Sequence, residues 1–552
     1  MLIGALLFAA TPADVVFTNG NFYTGVPAHP TAQAVAVAKH RIVFVGTISG
    51  ARRYTTKRTK VVDLHGATAV PGLTDAHYHL SAVGEREISF NLEGTSSLQD
   101  LQRRLKERAK TIPAGRWVVG RGWIETHWSP PVFPTRQDLD AAVPDHPVFL
   151  RRSDGHGAVA NSMALKLARI DKSTASPPGG EIEKDPATGD PTGMLKDNAM
   201  GRIAILLPRA TAQEDEQAML LAVKRSLSLG LCEVHIPGNS WKEIQLIRRL
   251  YEEGRIPLRI YDAISRNEAG TLFAKGPILN EFDHHFTLRS IKLYADGSLG
   301  SKSAALLAPY EGETASGFMV TTEAATQPIL KEALRKGIQI MTHAIGDRAN
   351  RSMLDWYETA FKAVPPSERA VKAPRWRIEH AQLVAASDLG RFAKLGVIPS
   401  MQPSHAIGDL YFAPSRLGME RLSEGYAWKS FLRSGSIICA GSDAPVEVGD
   451  PIIEFYAAVA RKALNGFSGP GWHPEERVSR DAALNMLTKW AAYAAFEEKD
   501  KGTLEVGKLA DITVLSRDIM NVREAQIPKT RCVMTVIGGE VAYTASRRSV
   551  ET

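Results

Sequence analysis

His77 and His79, two residues apart in Val70-PGLTDAHYHL, are the first side chains whose type and spacing suggest chemistry. On an extended strand, residues two apart face the same way, so both imidazoles can grip one cation through ring nitrogens. A His-x-His pair is common by chance, but this one follows directly on a Pro-Gly-Leu-x-Asp string. Three more residues repeat its placement: His343 ends the strand in Ile340-MTHAIGDRA, His380 ends Arg377-IEHAQ, and Asp443 follows Ala440-GSDAPV. Each stands where an apolar strand gives way to Gly-rich or polar sequence. Alone, each reads as a core histidine or a helix-capping aspartate. Four strands that all end this way point to a shared task, the holding of metal ions. No Ser-His-Asp or Gly-x-Ser-x-Gly pattern competes with it.

Such ligands need a scaffold that brings strand ends together. The middle of the chain alternates short apolar strands with helical stretches, the pattern of βα repeats on a parallel sheet. The strand candidates are Thr68–Asp75, Leu231–Ile236, Pro257–Ile264, Thr287–Ala295, Gln339–His343, Arg375–His380, Val397–Gln402 and Ile437–Ser442. Eight suit a (β/α)8 barrel, an α/β fold whose catalytic groups sit at the C-terminal rim of the strands. Residues 1–69 and 491–552 are β-rich and are expected to form one small β-sandwich-like domain from both chain ends. The barrel then covers 70–490. The span between the first two strands is too long for a βα loop. Residues 81–208 are therefore expected to form an inserted subdomain that overhangs the catalytic face as a lid or substrate wall.

Taken together, Val70-PGLTDAHYHL, Ser153-DGHGAVANSMAL, Ile291-KLYADGSLGSKSA, His343-AIGDRA, Ile378-EHAQ, Gly441-SDAPV and Gly502-TLEVGKLADITVL resemble the amidohydrolase superfamily. Within it the likeness is to family 3, the type that includes YtcJ-like proteins and N-substituted formamide deformylases. The resemblance covers nearly the whole chain. It implies that His77 and His79 bind the more buried metal together with Asp443, and that His343 and His380 bind a second. It also implies that Lys292 is carboxylated and bridges the two; the residue-level alternatives are a plain strand-end lysine or one paired with Asp296. One or two divalent ions follow, zinc first, though imidazole and carboxylate also accept Mn, Fe or Ni. The implied reaction is attack of metal-activated water on a non-peptide amide carbonyl, with Asp443 as general base and then acid. An ester or lactone hydrolase, or a deaminase, on the same site is the alternative, because one fold hosts many reactions.

Weaker candidates for substrate contact are Trp123, Asp154 and His156 from the insertion, and Gln402 and His405 after the seventh strand. Trp117, Trp123, Trp128 and Phe133 suggest a bulky apolar substituent on the substrate. His235, on the rim, reads as structural.

The net charge of +7 is scattered, with no basic run interleaved with aromatics, which argues against nucleic-acid binding. No apolar run reaches the length that spans a bilayer. Met1-LIGALLFAATPA resembles the end of a secretory signal without its positive region. Periplasmic or secreted placement and a cytoplasmic one both remain open, as does a homo-oligomer. The partner expected is a small amide-type molecule. Cys232, Cys439 and Cys532 match no metal or redox spacing.

Overall fold

A computed structural model describes residues 11–208, 210–468 and 472–546. The signal-like apolar start, residues 1–10, lies outside the described residues. At the centre is a nearly closed barrel of eight parallel strands: β1 (Leu73–Asp75), β2 (Leu231–Asn239), β3 (Arg259–Ser265), β4 (Phe286–Tyr294), β5 (Gln339–Ala344), β6 (Arg377–His380), β7 (Ile398–Met401) and β8 (Cys439–Ala440). Neighbours pair in chain order. The seam between β8 and β1 is bridged just past their ends, where Ala76 N–H donates to Ala440 O at 2.9 Å and Tyr78 pairs with Ala444.

These strands form because both of their faces are buried, one against the barrel interior and one against helices, which selects near-continuous apolar runs. The helices carry their own start signals. Thr211 and Glu214 make a reciprocal capping box ahead of Ala212–Ser228, and Ser240 and Glu243 do the same ahead of Trp241–Glu252. On Ala212–Ser228, Met219, Ala222, Val223 and Ser226 form the buried stripe that docks on the barrel. Register matters for function. Tyr294 lies opposite His343, and Ala344 opposite His380, so β4, β5 and β6 finish at one level.

One expected element divides in two. Thr68–Asp75 is not a single strand: Thr68–Pro71 pairs antiparallel with Ile512–Leu515, and only Leu73–Asp75 enters the barrel. The chain changes sheets at Gly72. A Cβ there would lie 2.8 Å from both Asp511 Cβ and Cys232 Sγ, so the crossing is too tight for a side chain. The outer sheet has eight strands drawn from both chain ends, from Val15–Tyr23 through Glu540–Thr544. A separate six-stranded sheet, from Phe90–Asn91 to Pro191–Asp197, lies between β1 and β2 in sequence. The three cysteines are buried and unpaired with one another.

Barrel and outer sheet are joined by a buried ion pair. Arg259, the first residue of β3, donates Nε–H to Asp511 Oδ2 at 2.7 Å and Nη2–H to Oδ1 at 3.0 Å. Asp511 Oδ1 also accepts the Gly538 N–H. Removing one partner of such a pair strands the other charge away from water, at about 3–5 kcal/mol. Arg259→Ala should therefore lower unfolding free energy by about that much in chemical denaturation. A loss below about 1 kcal/mol would show that the pair does not hold the two layers together.

Candidate active site

The five strand-end residues come together at the C-terminal mouth of the barrel. Ring centroids of His77 and His79 are 5.4 Å apart, His77 and His380 4.9 Å, and His343 and His380 4.5 Å. Asp443 enters between them: Oδ1 lies 3.1 Å from His79 Nε2 and 3.5 Å from His77 Nε2, and Oδ2 lies 4.0 Å from His380 Nδ1.

Asp75 sets this junction. Its carboxylate accepts the backbone N–H of His77 at 3.1 Å and that of Ser442 at 3.0 Å, together with the Ser442 hydroxyl at 2.5 Å. Asp443 N–H then donates to His77 O at 2.7 Å. The end of β1 and the turn after β8 are thus stitched together, and Asp443 is held over the two histidines. Asp443 and His380 have φ of 58° and 74°, left-handed values that non-glycine residues adopt at a cost. Strain of this kind persists only where surrounding bonds over-determine the backbone.

Each imidazole on β1, β5 and β6 has one ring nitrogen tied to an acceptor. His77 Nδ1–H donates to Glu379 Oε2, His380 Nδ1–H to Gln402 Oε1 at 2.7 Å, and His343 Nε2–H to Gly297 O at 3.1 Å. The tautomer follows from the acceptor: Nε2 of His77, Nε2 of His380 and Nδ1 of His343 carry the lone pairs. Burial, the largest influence on each, keeps them neutral. It pulls His77 to about 4 and His343 and His380 well below the usual imidazole value. For Asp443 burial pushes upward, but His77, His79 and His380 outweigh it and hold the carboxyl well below its usual range.

Glu379 is the site residue that sequence reasoning missed. It is wholly buried, and burial alone would favour its neutral acid. Arg377 overrides this, donating Nε–H to Oε1 at 2.7 Å and Nη2–H to Oε2 at 2.9 Å, and His77 adds a further bond. Arg377 in turn reaches Ala76 O at 2.5 Å, Ser400 Oγ at 2.7 Å and His235 Nδ1 at 3.0 Å. His235 is therefore buried as part of the Arg377 support and is no rim ligand. The i, i+2 spacing of Arg377 and Glu379 on a strand was the available signal, since both must face the barrel interior.

Lys292 is buried beside the cluster, with Nζ 3.5 Å from His77 Nε2; burial pulls it down to about 8. It does not pair with Asp296. That carboxylate accepts the N–H groups of Ala305, Ile345 and Gly346 at 2.8, 3.0 and 2.8 Å and lies 3.5 Å from His343 Nε2.

Of the residues named for substrate contact, Asp154 and His156 open onto a cavity of ≈ 700 Å³ above the cluster. Asp154 is bound by Arg152 Nη1 and Ser298 Oγ, each at 2.6 Å. Burial would lower His156, but Asp197, 2.6 Å from Nδ1, raises it to about 9 and keeps it a cation. Gln402 orients His380, as above. His405 stacks on His380 with ring centroids 5.8 Å apart; its Nε2 is buried, has no hydrogen-bond partner among the described residues, and lies 3.8 Å from Asp443 Oδ2. Trp123 is placed elsewhere. It is fully buried, donates Nε1–H to Leu150 O at 2.9 Å, and packs with Trp128 and Phe133 in the core of the inserted sheet. Trp117 packs in the core on the other face of that sheet. The cavity lining mixes charged and polar residues with Met200, Tyr294, Val320 and Val446, and none of these tryptophans is among them.

His77, His79 and Asp443 offer donor atoms that all lie within 4.8 Å of one another, and His380, His405 and Asp443 do so again. Neutral imidazoles and an ionised carboxylate are the donors a divalent cation requires.

Comparison with known proteins agrees with this geometry. A sequence model of the amidohydrolase family matches residues 60–543. The amidohydrolase YtcJ of Bacillus subtilis is 30% identical over 96% of this chain and 99% of its own length. The N-substituted formamide deformylase of Arthrobacter pascens is 28% identical over 96% and 98%. An uncharacterized metal-dependent hydrolase from Pyrococcus horikoshii superposes with a TM-score of 0.73 at 26% identity, over 92% of this chain and 99% of that one. With a match that runs from the outer sheet through every barrel strand and back, the chain belongs to the amidohydrolase family and is a hydrolytic enzyme.

Proposed function

We propose that the protein hydrolyses a carbon–nitrogen bond in a small non-peptide amide, using a divalent cation held by His77, His79 and Asp443, with a second at His343 and His380. The observation that carries the reading is the set of tied ring nitrogens. Ligating histidines characteristically give their other N–H to a carboxylate, amide or backbone oxygen, and Glu379, Gln402 and Gly297 O are such acceptors. A core histidine has no need of three such neighbours aimed at one point. The likeness to a formamide deformylase favours an amide over an ester.

When bound, the cation acts as a Lewis acid that brings water's pKa near neutrality and polarises a carbonyl. The protein's own contributions are separate. Glu379 fixes the His77 ring, Gln402 the His380 ring, and Asp75 the height of Asp443. An Asp443 oxygen takes a proton from the attacking water and delivers it to the departing nitrogen. An amine leaves poorly unless it is protonated, so one carboxylate serving both transfers suits amide chemistry. His156, as a cation, donates Nε2–H toward the developing oxyanion from the cavity wall.

Lys292 is assigned the bridge between the cations. Two like charges a few ångströms apart need an anionic group beyond four imidazoles and one carboxylate. Its Nζ is beside His77 Nε2 on β4, which fits a carboxylated side chain. An unmodified ammonium has no acceptor and could not ligate.

Two measurements test the reading. Dialysis against chelator should abolish hydrolysis of N-formyl and N-acyl amines while the circular dichroism spectrum is retained, and added Zn or Mn should restore it. Turnover that survives in metal-free protein, or activity confined to esters and lactones, would overturn it. Lys292→Ala should lower both metal content and kcat by about tenfold or more, with partial rescue by short carboxylates or bicarbonate. A variant that keeps two metals and a near-normal rate would make Lys292 a bystander and the site mononuclear.

A further inference from the structure

The cavity above the cluster contains cations of two kinds. Arg152 is fully buried and saturated by Glu125 and Asp154, and His156 is paired with Asp197. Arg121 and Arg151, which line the same cavity, are not. They come from adjacent strands of the inserted sheet, Val118–Trp123 and Val148–Arg152, in direct register with each other. Among the described residues neither has a carboxylate within 4.0 Å, and the hydrogen bond Arg121 makes is a long one, Nη1 to Ala82 O at 3.5 Å. Glu93 and Glu85 act on Arg121 from farther away, and Glu85 lines the same cavity and also acts on Arg151.

Side-by-side cations across a strand pair repel. Burial, the largest influence, pulls Arg121 to about 10, while Glu93 and Glu85 more than balance the repulsion from Arg86 and Arg151. Arg266 stands in the same cavity, just past the end of β3, and is likewise satisfied only by neutral oxygens, Thr321 Oγ1 at 2.8 Å and Ala325 O at 3.3 Å. Guanidinium groups are suited to two-point recognition of a carboxylate.

We propose that Arg121 and Arg151 form an anion subsite that receives a carboxylate carried by the substrate, with Arg266 adding positive field, so that the amide cleaved is an acidic one. The identity of the cleaved bond rests on the hydrolase reading above; the anion subsite rests on the arginines alone. This replaces the apolar substrate group suggested by the tryptophans of the insertion, because Trp123 and Trp128 are core, whereas Arg121, Arg151 and Arg266 open onto the cavity.

The test pairs N-formylphenylalanine, in both enantiomers, with N-formylphenethylamine, which lacks only the carboxylate. Calorimetric titration of the wild-type protein should show one enantiomer of the acid binding about tenfold or more tighter than the neutral compound, the scale of charge-assisted hydrogen bonds. Arg151→Gln, at an exposed position where folding is not at stake, should shrink that ratio. Arg121→Lys should shrink it too, because an ammonium cannot reproduce the fork. Equal affinity of acid and neutral compound, or a ratio unchanged in both variants, would overturn the subsite. Hydrolysis is scored separately on the metal-loaded enzyme. Acid-selective binding with cleavage of neither compound would refute the amide-bond reading and leave the anion subsite standing. Cleavage of both without discrimination would do the reverse.

Discussion

A carboxylate sealed away from water must find its positive charge inside the protein, and Glu379 finds it in Arg377 and the ring N–H of His77. Much of the site depends on this. Arg377 draws in Ala76 from the end of β1, His235 from β2 and Ser400 from β7, so one guanidinium ties four strands together on the barrel axis. Breaking a buried pair of this kind costs far more than the pair contributes in net stability, which makes it a device for placing groups. What it places is His77. With Nδ1 committed to Glu379, Nε2 must face Asp443 and Lys292.

The same logic extends downward. Below the Arg377 layer, Glu233 of β2 binds Lys501 at 2.6 Å, and Lys501 also reaches Glu497 at 2.7 Å. Lys501 comes from the segment that leads back into the outer sheet, and Arg259 meets Asp511 of that sheet. The barrel floor is thus closed by charge pairs supplied from the chain's far end. The sheet built from both chain ends is thereby fixed to the barrel on the side away from the strand-end cluster.

How much of this could be read from sequence depended on whether a residue's role was local. That His77, His79, His343, His380 and Asp443 share one site was legible because each stands at the end of a barrel strand, and such ends converge at one rim. Most of the eight strands were legible because parallel strands buried on both faces leave near-continuous apolar runs, although β6, Arg-Ile-Glu-His, turns charged side chains to the interior. Glu379 was not, although it stands beside His380: the spacing from Arg377 puts both on one face of β6, but the partner that gives it a role, His77, arrives from the end of β1. Gly72 hid the break between two strands, since the apolar pattern runs on through the point where the chain changes sheets. Trp123 misled in the opposite direction. An aromatic residue in an overhanging insertion suggests a substrate wall, yet the insertion has its own core to fill, and Trp123 is in it. Arg121, two residues before it on the same strand, opens onto the cavity instead.

The most direct measurement is an anomalous-scattering map from crystals of the protein loaded with Zn or Mn. The account predicts a peak within coordination distance of His77 Nε2, His79 and Asp443, with Glu379 still bonded to His77 Nδ1. A peak away from these three residues, or a His77 ring turned so that Glu379 and the ion compete for one nitrogen, would contradict it.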